Sequence, residues 1–144
     1  MKLISAEWVH RLVMLAGLGQ LGLILGSLAI PRVLHWKEAL APIPNPLIRQ
    51  VFWVYSIYIW FTNLCFGLIS ALAPPWLLKK DPLGACVCGF IALYWTSRVF
   101  IQIFYFDRSQ VPNRALFKWG EVALMSLFVY LSVVYSVATV YNLS

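Results

Sequence analysis

The stretch VFWVYSIYIWFTNLCFGLISALA, residues 51–73, decides the fold, because it runs for 23 residues without one charged side chain. An α-helix rises about 1.5 Å per residue, so about 20 apolar residues cross a hydrocarbon layer about 30 Å thick. Working outward, three more blocks share this character. Residues 12–30 hold only Gln20 and Ser27 as polar side chains, residues 83–106 hold a single charge, Arg98, and residues 122–141 hold none. Strands of a membrane barrel would be about half as long and polar at every second position, so the blocks read as helices.

The segments between the blocks carry the chain breakers. Pro31, Pro42, Pro44 and Pro46 separate the first two blocks, Pro74, Pro75 and Pro82 the second and third, and Pro112 the last two. Proline lacks an amide donor and clashes with the preceding turn. Short connections make sequential helices antiparallel neighbours. The expected fold is all-α: one transmembrane domain over residues 1–144, a four-helix bundle running up-down-up-down. Composition agrees. Of 144 residues, 62% are hydrophobic and 11% charged, where a soluble domain carries about 25% charged residues.

Ser27-Leu28-Ala29 resembles a small-x-small cleavage site, which would make the first block a signal peptide. The length of its apolar run and Glu7 in the leader argue for a retained span. Lys2, Arg11, Lys79 and Lys80 fall on one side of the membrane, and Arg32, Lys37, Arg49, Arg108, Arg114 and Lys118 on the other. The positive-inside rule then places the first and third connections in the cytoplasm and both termini outside, in a cell membrane. The net charge of +6 is scattered without a basic run, so no nucleic-acid partner is implied. Membrane lipids and a membrane protein partner are.

Arg98 is the most informative side chain. It lies nine residues before Asp107, about 13 Å along a helix, where a charge must snorkel, pair or face water. Tyr94, Arg98, Gln102 and Tyr105 share one helical face. Glu121, near the start of the fourth block, is the natural partner of Arg98, and it begins a stripe with Phe128, Ser132, Tyr135 and Thr139. This set reads either as a structural pair or as a pocket for an anionic headgroup or carboxylate, which suits a guanidinium fork. The second block adds Tyr55, Tyr58, Thr62, Asn63 and Ser70. Asn63, near mid-membrane, should seek a polar partner on another helix. In the first block Gly19, Gly22 and Gly26 share a face, with Gly22-x-x-x-Gly26 as a small-xxx-small pair that favours close helix approach.

Chemistry of other kinds has little to stand on. Cys86 and Cys88 form a C-x-C whose side chains point to different faces, which suits neither zinc nor a redox pair. Cys65 stands alone. All three read as buried inert thiols. His10 and His35 lie 25 residues apart, about 37 Å on a continuous helix, and read as interfacial. No catalytic set, metal site or cofactor is implied. The leading expectation is a non-catalytic subunit, scaffold or assembly factor of a membrane complex. The alternative is a binder, carrier or enzyme for a lipid-like or small anionic molecule around Arg98.

Overall fold

A computed structural model describes residues 5–107, 109 and 114–144. Four of its helices are long and apolar enough to cross a membrane: α1 (Ala6–Ser27), α4 (Pro46–Leu72), α6 (Pro82–Phe104) and α7 (Ala115–Leu143). Three short helices join them, α2 (Ile30–Val33) and α3 (Trp36–Leu40) in the first connection and α5 (Pro74–Leu77) in the second. No strand occurs among the described residues. The fold is the expected all-α four-helix bundle, with α1 packed on α4, α6 on α7, and α1 on α7 joining the two hairpins.

Three of the four long helices exceed their apolar blocks, and α6 matches the length of its block to within a residue. α1 begins at Ala6 instead of residue 12, α4 at Pro46 instead of 51, and α7 at Ala115 instead of 122. Hydropathy marks the hydrocarbon layer, whereas backbone hydrogen bonding continues into the interface. There Glu7 and Arg11 form an exposed ion pair one turn apart at 2.6 Å. Prolines open helices as well as ending them. Pro31, Pro46, Pro74 and Pro82 all sit in first turns, where the missing amide would have had no partner. Asn45 caps α4 by accepting from the Leu47 amide at 2.9 Å, and Asp81 caps α6 by accepting from the Gly84 amide at 2.6 Å.

Burial is lopsided. Buried side chains on α1 run from Val9 to Gln20, on α6 from Gly84 to Trp95, and on α7 from Phe128 to Asn142, while α4 contributes only Gly67 and Ser70. Among the described residues, none in 21–66 or 96–127 is buried. The half of the bundle near Ala6 and Leu143 is therefore tightly packed, and the half near the first and third connections is splayed. Apolar side chains gain little from associating within lipid, so close packing and polar contacts must hold such a bundle together. Both are concentrated in the packed half.

α1 and α4 approach closely at their glycines. A methyl group on Gly17 would stand 2.8 Å from the Ser70 carbonyl carbon and 2.9 Å from Ala71 Cα, both backbone atoms, and one on Gly67 would meet the Leu21 side chain at 3.0 Å. These two contacts set the antiparallel register of the pair. They place the end of α4 beside the middle of α1, so that α5 and the second connection cover the first turns of α1. The opposite half of α4 runs past the end of α1 and is met by α3, whose Trp36 packs edge-on against Phe52 and Trp53 at 5.0 and 5.8 Å.

Candidate functional site

The principal polar cluster joins one residue from each span. Gln20 on α1 donates from Nε2 to the Tyr135 hydroxyl on α7 at 2.5 Å, and accepts at Oε1 from Trp95 Nε1 on α6 at 3.3 Å. The Tyr135 hydroxyl also shares a hydrogen bond with Ser70 Oγ on α4. All four side chains are buried. Every member is uncharged, and each polar atom of the cluster has a partner in another helix. An unpaired amide or hydroxyl in hydrocarbon is strongly disfavoured, so this arrangement fixes the rotation and depth of all four helices at once. It is a buried clasp whose four members bond to one another.

A second cluster fastens the second connection. Asn142 Nδ2 donates to the Leu77 carbonyl at 2.6 Å and lies 3.7 Å from Cys88 Sγ, while Asn142 Oδ1 accepts from the Lys80 amide at 3.0 Å. Lys80 itself has a positive φ of 56°, and its ammonium stands 4.7 Å from the centre of the Tyr141 ring. Gly84 leaves room for this tie, since a methyl group there would come within 2.9 Å of Asp81 Oδ1 and 3.1 Å of the Leu77 carbonyl.

The residues singled out from sequence are spread along the splayed half. Tyr94 is half-buried, edge-on to Phe66 at 5.5 Å and to Trp95 at 5.2 Å, and forms the border of the core. Arg98 lies one turn further, its guanidinium 5.6 Å above the Phe128 ring. A cation over an aromatic face is attracted by the ring quadrupole. Gln102 and Glu121 are half-buried. Tyr105 caps α6 and is 81% exposed. Among the described residues the ion pairs are Glu7–Arg11 and His35–Glu38, so Arg98 and Glu121 do not pair with each other. Cavities of about 270 and 490 Å³ are present, and neither is lined by Arg98.

The glycine face divides. Gly19 is turned towards α7, where a methyl group would meet Leu127 Cδ1 at 2.9 Å, whereas Gly22 and Gly26 have open space on that side. The register set by Gly17 and Gly67 puts Asn63 at the depth between Gly22 and Gly26. Asn63 Oδ1 is shielded and has no hydrogen-bond donor. Cys65 and Cys86 are exposed and Cys88 is buried, so the expectation of three buried thiols holds for Cys88 alone. The other two face outwards because each sits on the side of its helix away from the core. No three His, Cys, Asp or Glu side chains among the described residues are grouped to hold a metal.

Sequence reasoning notes Gln20, Ser70 and Tyr135 separately and does not join them. The available signal is that Gln20 is the only amide in the first block. Such a group buried in a bundle requires a donor and an acceptor from its neighbours. Comparison with known proteins matches the chain to no family model, no curated protein and no solved structure.

Proposed function

We propose that this chain is a non-catalytic subunit or scaffold of a larger membrane assembly, which receives a transmembrane helix of a partner protein on its splayed half. The observation that carries the reading is the open face at Gly22 and Gly26, where a methyl group on either residue would meet no other helix and no side chain among the described residues within 4 Å. Small residues at this spacing let a second backbone approach closely, which is the main source of helix association in lipid. The clasp supports the same view, because its polar atoms are engaged in holding the four spans together.

The chain resides in a cell membrane with both termini outside, following the excess of Lys and Arg on the first and third connections. A second reading keeps the binding of a small anionic molecule at Arg98, favoured by the half-buried guanidinium on the Phe128 ring.

Purification in mild detergent with mass spectrometry of what accompanies the chain tests the first reading. A stoichiometric membrane protein is expected with the native chain and is lost in Gly22→Leu/Gly26→Leu, whose own thermal unfolding stays unchanged. Retention of the partner by that variant, or a solitary native chain, rejects the reading.

A further inference from the structure

We infer that the groove between the first connection and α4 binds the phosphate of an anionic phospholipid headgroup. This site is separate from the helix-docking face and does not depend on it. It is built by the route the chain takes on leaving α1. Pro31 opens α2, and His35 then adopts a left-handed backbone with φ of 49°, a conformation in which histidine, like Asn and Asp, is enriched among L side chains. His35 turns α3 back, and the Trp36 contacts with Phe52 and Trp53 pin it to α4. What remains between them is an open surface groove, whose lining includes the exposed Arg32, His35, Lys37 and Glu38 and the half-buried Trp53 and Trp60.

The charge in the groove suits an anion. Arg32 and Lys37 bring two basic side chains to the groove against one carboxylate, Glu38, which also contacts His35 Nδ1 at 2.8 Å. The depth suits a lipid. α4 has 27 residues, about 40 Å, which is about 10 Å more than the hydrocarbon layer. Trp53 stands about 10 Å from its first residue and Trp60 about 21 Å. The cations thus lie at the headgroup level, one indole at the boundary where tryptophan is favoured, and the second alongside the upper acyl chain. A soluble phosphate compound shares the headgroup chemistry and lacks the use for Trp60.

The test is native mass spectrometry of the full chain released from phosphatidylcholine nanodiscs with and without phosphatidylglycerol. One retained phosphatidylglycerol is expected, with no equivalent retention of phosphatidylcholine. Removing two cations in Arg32→Gln/Lys37→Gln is expected to weaken retention about 25-fold, while Lys79→Gln/Lys80→Gln, the same charge removed at the opposite end, leaves it unchanged. Glu38→Gln takes away the competing carboxylate and is expected to strengthen retention, which a misfolded protein would not do. Equal retention by the Arg32/Lys37 variant and the native chain overturns the site, as does weakened retention in Glu38→Gln. Displacement of phosphatidylglycerol by millimolar inorganic phosphate overturns the lipid assignment in favour of a soluble phosphate ligand.

Discussion

Replacing Tyr135 by phenylalanine removes a single oxygen from the centre of the bundle and leaves the ring volume in place. That oxygen accepts from Gln20 at 2.5 Å and shares a hydrogen bond with Ser70, so two contacts between helices vanish and no cavity forms. Side-chain hydrogen bonds between transmembrane helices contribute about 0.6 kcal/mol on average and about 1.7 at most, which gives about 1.2 kcal/mol for the pair and about 3.4 as a ceiling. The full penalty for stranded polar groups does not apply. Gln20 Nε2 keeps a long contact of 3.4 Å to the Ala16 carbonyl and Gln20 Oε1 keeps Trp95, and a serine hydroxyl in a helix turns back to a carbonyl of its own preceding turn. The expected destabilisation of Tyr135→Phe is therefore about 1–2 kcal/mol. The assay is reversible unfolding in mixed micelles with increasing dodecyl sulfate, run on the native chain, Tyr135→Phe, Ser70→Ala and the double variant. If the hydroxyls interact, the double variant loses less than the sum of the singles by at least about 0.5 kcal/mol. A Tyr135→Phe protein within about 0.3 kcal/mol of the native chain, or strictly additive variants, would refute the clasp.

Three further outcomes follow from the packing. Gly17→Ala drives a methyl group into the α4 backbone at 2.8 Å and is expected to lower stability by about 1–3 kcal/mol, while Gly22→Ala, with open space, stays within about 0.5 kcal/mol; the same dodecyl sulfate titration compares them. Asn142→Ala cuts the ties to Leu77 and Lys80, and hydrogen exchange at the Lys80 amide should rise well before global unfolding does. Asp81→Ala removes the cap of α6 at about 0.5–2 kcal/mol, measured by unfolding midpoint, and the loss should be partly recovered by Asp81→Asn.

The spans were legible in the sequence because length and apolarity are local properties of a stretch of chain. What joins them was not. Tyr94 and Tyr105 lie on one face of α6, yet they are 11 residues apart, about 16 Å, and end respectively against the core and almost fully exposed. A shared face says nothing about depth. The same holds for the glycines. Gly19, Gly22 and Gly26 form the visible pattern, but the backbone collision point is Gly17, on another face, and only the relative stagger of α1 and α4 distinguishes it. Gln20 was conspicuous as an amide in an apolar block, and its partner was indeterminate, since α4, α6 and α7 each offered hydroxyls at several heights. Arg98 and Glu121 looked complementary by sign and hairpin proximity. Their positions on facing helices nevertheless turn Arg98 onto the Phe128 ring.

The clasp also has an order in time. A ribosome releases Gln20, Ser70 and Trp95 before Tyr135, which follows Trp95 by 40 residues. At about 5–20 residues per second that interval is about 2–8 s. During it a three-span nascent chain holds a glutamine whose amide lacks its main acceptor and a serine turned back on its own helix. The fourth span thus completes the clasp, and a chain stalled or cleaved before it keeps the unpaired Gln20 amide as a lasting polar lesion.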